Sequence, residues 1–258
     1  NIMILLVAIV ILLCVLVEKF SDKFGMPALI FFMFIGMLFG SDGILKIPFD
    51  DFKLAENICS ISLIFIMFYG GFNTKWKAAK EVAGKSILLS TLGVVITAGI
   101  TMLLCRVLLN IPFAESFLIG AVLSSTDAAS VFAILRKHKL NLKDGTASIL
   151  EVESGSNDPV SYLLTIVAVS IATTGGFGNV IGTITIQLVM GIVVGVLFAK
   201  ITIAILMKTN LVSDGLDTIF MIAMVLFCYG LTQVSGGNAY LSIYIMGILI
   251  GNSKIKNK

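Results

Sequence analysis

Two short polar stretches interrupt long apolar segments, and their side chains are of kinds that bind cations and protons. The first is Ser-Ser-Thr-Asp-Ala-Ala-Ser at 124–130, and the second is Glu-Val-Glu-Ser-Gly-Ser-Asn-Asp-Pro at 151–159. Oxygens suited to replacing the water around a monovalent cation are offered by Thr126, Ser154, Asn157 and Asp158. Ser154 and Asp158 are four residues apart, so we expect them to share one face of a helix.

Asp158 is the residue at which a cation and a proton would compete. Burial in a poorly solvated helix favours the protonated form of a carboxyl group, whereas a bound cation favours the ionised form. If the occupied site can open to either side of a membrane, and the bare anion crosses reluctantly, one ion is exchanged for the other. The residues therefore predict a secondary active antiporter that needs neither covalent chemistry nor a cofactor.

The composition is that of a polytopic helical membrane protein. Of the 258 residues, 58% are hydrophobic and only 13% are charged, against about a quarter charged in soluble domains. A membrane span needs about 20 mainly apolar residues. Nine apolar segments are predicted helices, at 1–17, 27–40, 56–72, 86–109, 114–135, 146–172, 180–207, 216–233 and 239–251. We expect an all-α fold of about nine transmembrane helices, forming a single transmembrane domain over 1–258.

Basic residues divide unevenly between the loops that join these segments. Alternate loops, together with the tail at 252–258, hold 14 of the 18 Lys and Arg residues. The other loops hold only Lys46 and Lys53. Because cytoplasmic loops carry the excess of basic residues, we expect the N-terminus outside the cell membrane and the C-terminal tail in the cytoplasm.

The two acidic residues of the polar stretches are predicted to lie at similar depth. Asp127 is 13 residues into the fifth segment, or about 20 Å at the helical rise. Asp158 is 12 residues into the sixth, or about 18 Å, so both lie near the middle of a hydrocarbon core of about 30 Å. Small residues around Thr126 permit local unwinding, and Pro159 would leave the Gly155 carbonyl without its helical partner.

The same residues resemble motifs of a known transporter family. The stretch 150–159 (Leu-Glu-Val-Glu-Ser-Gly-Ser-Asn-Asp-Pro) resembles the Asn-Asp motif helix of the monovalent cation/proton antiporters of the NhaP type. The stretch Ser-Thr-Asp at 125–127 resembles its partner on an unwound helix. The resemblance covers essentially the whole chain and is closest to the potassium/proton branch. It implies an NhaA-like antiporter fold with discontinuous core helices, elevator-like alternating access and a homodimer in the bilayer.

The resemblance also implies a role for each site residue. Asp158 would bind the cation or the proton, and Asn157 would orient it. Thr126 and Ser154 would complete the monovalent cation's ligands. Asp127 would lie beside the point where the unwound core helices cross. Family members have about thirteen helices, so the chain is expected to be the N-terminal part of an antiporter, lacking later core helices. For Glu153 the resemblance implies that it pairs with an arginine on one of those helices and so stabilises the core.

Other readings of the sequence are a cation channel, a non-transporting membrane scaffold subunit and an intramembrane hydrolase. Buried Asp and Ser side chains can also serve only to hold helices together. The hydrolase needs a nucleophile paired with Lys or His at membrane depth, and none is visible, so we predict that the protein is not an enzyme. The net charge of +3 falls in short loops, and no nucleic-acid partner is expected. Potassium is favoured over sodium by the resemblance alone, because oxygen ligands serve both ions.

Overall fold

The part of the chain that the structure describes is mostly helical. The computed structural model describes residues 2–24, 28–127, 142–143, 145–174, 180–208 and 216–253. The helices are α1 (Ile2–Phe24), α2 (Ala28–Phe39), α3 (Phe52–Asn73), α4 (Trp76–Leu88), α5 (Val94–Leu108), α6 (Phe113–Leu123), α7 (Thr146–Thr174), α8 (Val180–Lys208), α9 (Asp217–Val234) and α10 (Ala239–Gly251). A π-helical turn, Leu89–Gly93, joins α4 to α5 without a break. The described residues contain no β-strand.

The predicted all-helical fold is confirmed, and each of the nine apolar segments has its helix. Three boundaries differ from the predicted segments by seven residues or more. The first helix continues to Phe24, past the predicted end at 17. The fourth helix begins at Trp76, inside the predicted loop 73–85, because an apolar run marks the part of a helix at membrane depth and not its polar ends. The fifth helix ends early, at Leu123, and the rest of that predicted segment, 128–135, lies outside the described residues. The basic loop at 136–145 and the tail at 252–258 also lie mostly outside them.

Several helices have the length and composition of membrane spans. Four stretches among the described residues are long and apolar enough to cross a membrane: Phe52–Asn73, Ala79–Leu108, Val180–Met207 and Asp217–Val234. Three further apolar helices are shorter, Ala28–Phe39, Phe113–Leu123 and Ala239–Gly251. The predicted segments 27–40 and 239–251 were already short, and their helices α2 and α10 have 12 and 13 residues.

The chain divides into two compact units. The first comprises Asn1–Glu56 and Asp127–Leu142. In this unit α1 packs against α2. After α2 the chain folds back on the end of the helix, where the Leu45 nitrogen donates to the Leu38 carbonyl (3.2 Å) and the Ile47 nitrogen donates to the Phe39 carbonyl (3.1 Å).

The second unit, Asn57–Thr126 and Lys143–Lys258, contains the larger core. In it α10 packs against α8 and α9, while α6 packs against α5 and α7. The buried apolar core lies around α10 and is formed by Ile64, Met67, Val194, Phe198, Ala199, Val225, Cys228, Tyr240, Ile243, Tyr244, Met246 and Ile250.

Glycines bring α3 and α10 into close contact. A Cβ atom on Gly247 would lie 2.6 Å from the Phe68 carbonyl oxygen and 2.9 Å from the Phe72 nitrogen. Gly71, on the facing side of α3, would overlap the Tyr244 carbonyl oxygen in the same way. Small residues permit such backbone approach and are typical of helix packing in membranes.

Candidate cation-binding site

The site begins where α6 stops. Helix α6 ends at Leu123, and residues 125–127 are not helical. A helix end leaves carbonyl groups without partners, and here the Ala121 carbonyl receives two hydroxyl donors, Ser124 Oγ at 2.7 Å and Ser161 Oγ at 2.6 Å. Ser161 belongs to α7, so this bond also fixes the end of α6 on the neighbouring helix.

Helix α7 turns a polar face toward this non-helical segment. Its polar side chains recur at helical spacing at Glu153, Ser154, Asn157, Asp158 and Ser161. Asn157 is completely buried, with 0% of its surface exposed. A buried amide must find hydrogen-bond partners or lose the energy of its contacts with water. The partners of Asn157 lie in the segment that follows α6 and, through Glu153, in α7 itself.

Thr126 is the centre of the hydrogen-bond network. Its carbonyl oxygen accepts from Ser154 Oγ at 3.2 Å and from Asn157 Nδ2 at 3.3 Å. Its hydroxyl donates to the Glu153 carboxylate, 3.2 Å from each oxygen, and accepts from Asn157 Nδ2. Asn157 Nδ2 also lies 3.1 Å from Glu153 Oε1. Because the Thr126 carbonyl is bonded to α7 instead of to its own helix, this backbone acceptor is satisfied.

Asp158 joins this network through Ser125. The Ser125 hydroxyl contacts Asp158 Oδ1 and lies 3.3 Å from Asn157 Oδ1. Asp158 is half-buried, whereas its neighbour Asn157 is fully buried. The carboxylate is therefore more exposed than the amide beside it, which bonds to both chain segments.

The structure brings the predicted residues Thr126, Glu153, Ser154, Asn157 and Asp158 into one cluster. The prediction that the chain unwinds around Thr126 is confirmed for 125–127. Helix α7, in contrast, continues without interruption through Pro159.

The role predicted for each site residue, including Asp127 and Glu153, stays a prediction. Asp127 is exposed and belongs to the first compact unit, so its part in the site is a prediction. Glu153 accepts hydrogen bonds from Thr126 and Asn157, and its pairing with an arginine is a prediction too. Within the described ranges, no group of three or more His, Cys, Asp and Glu side chains could hold a metal ion.

Sequence reasoning missed three contributors to the site. Ser125 was noticed only as part of a motif, although its hydroxyl makes the contact with Asp158. Asn238, at the start of α10, donates from Nδ2 to the Pro159 carbonyl at 3.0 Å. Tyr244 covers Gly155, where a Cβ atom would lie 2.6 Å from the phenol oxygen. An asparagine following Gly236 and Gly237 between two apolar segments was the available signal for Asn238.

Three comparisons relate the chain to known proteins. The family model described as "Sodium/hydrogen exchanger, transmembrane" matches residues 6–258. The chain is 34% identical to the K(+)/H(+) antiporter NhaP of Alkalimonas amylolytica, over 99% of this chain and 45% of that protein. It is 32% identical to the K(+)/H(+) antiporter NhaP2 of Shewanella baltica, over 95% of this chain and 42% of that one.

A solved transporter structure is similar to this chain. The sodium proton antiporter MjNhaP1 from Methanocaldococcus jannaschii, solved at pH 8, matches with a TM-score of 0.81 and 26% identity. The match covers 96% of this chain and 63% of that one. The Na(+)/H(+) antiporter 1 of the same organism is 27% identical over 92% of this chain. The chain thus spans about half the length of the curated relatives it matches.

Proposed function

Because the chain belongs to the sodium/hydrogen exchanger family, we propose that the protein is a secondary active antiporter that exchanges a monovalent cation for protons across the cell membrane. The observation that carries the proposal is the half-buried carboxylate of Asp158, which contacts the hydroxyl of Ser125 in the non-helical segment after α6. Non-helical backbone at membrane depth is tolerated where it lines a site inside the protein, and broken helices form ion sites in transporters.

Competition at Asp158 is the proposed mechanism. A cation bound there neutralises the carboxylate, and so does a proton, so the site holds one or the other. Ser154 and Thr126 supply hydroxyl oxygens to the cation. The Ser154 hydroxyl donates to the Thr126 carbonyl oxygen at 3.2 Å, which supports a shared role for the two residues. Asn157 orients the carboxylate. Asp127 lies next to Thr126 in the non-helical segment. The exchange uses the energy of ion gradients and requires no cofactor.

Potassium is the proposed cation in preference to sodium. The relatives that are 34% and 32% identical are named K(+)/H(+) antiporters, whereas the relative named a Na(+)/H(+) antiporter is 27% identical. We further propose that the protein is a homodimer in the lipid bilayer. The division of basic residues between the loops supports an N-terminus outside the cell and a cytoplasmic C-terminal tail.

Cation-induced proton efflux from everted vesicles tests the function. Vesicles bearing the full-length protein or its Asp158→Asn variant are acidified inside, and K⁺ and Na⁺ are added separately. Asparagine keeps an oxygen that can accept from Ser125 but carries no charge, so the variant should assemble and should not exchange. The cation that dissipates the wild-type pH gradient is the substrate.

Two other outcomes would reject the proposal. Efflux through Asp158→Asn equal to wild type would make the carboxylate structural and favour a scaffold subunit. Cation flux without obligatory proton movement would favour a channel.

A further inference from the structure

Helix α7 has a second face, beside the one that carries Asp158, and this second face contacts α10. Gly155, Pro159 and Tyr162 recur at helical spacing and all meet α10. The helix that bears the carboxylate is therefore held from two directions, by the segment after α6 on one side and by α10 on the other.

The contact between α7 and α10 is specific. Asn238 Nδ2 donates to the Pro159 carbonyl at 3.0 Å. The rings of Tyr162 and Tyr240 meet edge to face, with centroids 5.0 Å apart and planes at 84°, an arrangement that aromatic pairs favour. The amide of Asn238 thus gives a directional bond between the two helices, beside the contact of the rings.

Both ends of the Asn238 amide are occupied. Its Oδ1 accepts from the Leu241 nitrogen at 3.0 Å and so caps the first turn of α10. The Asn238 backbone nitrogen donates to the Gln187 carbonyl of α8 at 2.9 Å. With 0% of its surface exposed, the side chain is fixed in position, and its Nδ2 group presents a rigid donor to α7.

The Pro159 carbonyl is the point of α7 at which such a donor matters most. Proline has no N–H group, so the helix loses the bond that residue 159 would make to the Gly155 carbonyl. Helices bend most readily at such positions. Asp158 lies in this weakened turn, and its direction therefore depends on support from outside the helix.

We propose that Asn238 is a positioning residue for Asp158, acting through its hydrogen bond to the Pro159 carbonyl. This inference rests on the proposed function, because it assigns Asn238 to the cation site of the antiporter. Without the bond the turn at Asp158 and Pro159 samples more orientations, and fewer of them match the oxygens of Ser154 and Thr126. The cation then binds more weakly, while the maximal rate is less affected.

The test removes the Nδ2 donor of the Asn238 side chain but keeps an oxygen that caps α10. Serine is an effective helix cap, so Asn238→Ser retains the cap on α10 but is too short to reach Pro159. In everted vesicles bearing the full-length protein, we expect the half-saturating K⁺ concentration to rise by about three- to tenfold, the effect of one neutral hydrogen bond.

Ser242→Ala is the matched control. Ser242 lies in α10 and is fully buried, and its hydroxyl accepts from Thr232 of α9 at 3.0 Å and donates to the Ala239 carbonyl of α10. A general loosening of α10 would change both variants alike, whereas a positioning role changes the half-saturating concentration in Asn238→Ser alone.

Each outcome decides the inference. A wild-type half-saturating concentration in Asn238→Ser, or an equal rise in Ser242→Ala, would overturn it. If Asn238→Ser does not accumulate, Asn238→Thr, a cap of similar volume, replaces it, and failure of both would make Asn238 a folding residue and reject the positioning role. Asp158→Asn runs in parallel: if it exchanges normally, the proposed function fails, and if only Asn238→Ser is normal, the inference alone fails.

Discussion

The polar contact between α7 and the segment after α6 differs in kind from the close contact between α3 and α10. The first is built from hydroxyl, amide and carboxylate groups around Thr126 and Asn157. The second is built from glycines, Gly71 and Gly247, which let two backbones touch. Polar groups in a membrane are expensive and mark functional positions, whereas close packing of small residues holds helices together.

The two contacts differ in what they contribute: the glycine contact contributes to stability, and the polar contact contributes to the proposed ion binding. The glycine contact can be optimised for stability, because nothing has to enter it. Under the proposed function the polar contact admits an ion, and its half-buried carboxylate lies next to a fully buried amide. Substitutions in the polar contact should therefore change ion binding, and substitutions in the glycine contact should change stability without changing ion binding.

The largest effect is expected at Asn157. Asn157→Ala removes the amide that bonds Thr126 and Glu153 and leaves both without that partner. Since a hydrogen bond to a charged group is involved, the free energy of unfolding should fall by about 3 kcal/mol, and exchange should be lost. Thermal unfolding in detergent and vesicle assays measure the two effects. The control is Thr165→Ala, whose hydroxyl donates to the Ser161 carbonyl of its own helix. An equal loss there would contradict a special role for Asn157.

The next effect is expected at Gly71, in the glycine contact. Gly71→Ala would place a methyl group against the Tyr244 carbonyl and 3.1 Å from the Ile248 nitrogen. Overpacking of this kind should reduce the free energy of unfolding by about 2 kcal/mol. The half-saturating cation concentration of the folded protein should stay at its wild-type value.

Gly70 is the matched control for Gly71. A Cβ atom on Gly70 meets nothing within 4 Å, so Gly70→Ala should change stability by no more than about 0.5 kcal/mol. Equal unfolding temperatures for the two variants would show that α3 and α10 are not held together by close backbone contact.

The smallest effect is expected at Ser125. Ser125→Ala removes the hydroxyl that contacts Asp158 and with it one bond that holds the carboxylate in place. The half-saturating K⁺ concentration should rise by about three- to tenfold with little change in unfolding temperature. Ser156→Ala, on the opposite side of α7 from Asp158 by the helical period, should behave as wild type. Unaltered K⁺ dependence in Ser125→Ala would mean that Ser125 has no part in binding.

The sequence predicted one of these contacts much better than the other. Polar residues inside apolar segments are rare, so Thr126, Asn157 and Asp158 could be found by type and spacing alone. The spacing of Ser154 and Asp158 placed both on one face of a helix, as α7 has them. The small residues around Thr126 predicted the end of α6.

The glycine contact could not be predicted, because Gly70 and Gly71 are equivalent in the sequence, and only the packing of α10 distinguishes them. Asn238 was missed for a related reason. It lies 79 residues from Pro159, and no helical periodicity relates two residues so far apart. Local pattern therefore predicts helices and polar faces, whereas the partners of each face depend on long-range packing.

The most direct test of competition at Asp158 is the dependence of K⁺ half-saturation on pH in vesicles bearing the full-length protein. If one proton and one cation exclude each other at this carboxylate, the half-saturating K⁺ concentration should rise as the pH falls. It should approach about tenfold per pH unit in the acidic limit, with the maximal rate unchanged at saturating K⁺. A half-saturating concentration independent of pH, while exchange still requires Asp158, would contradict competition at a shared carboxylate.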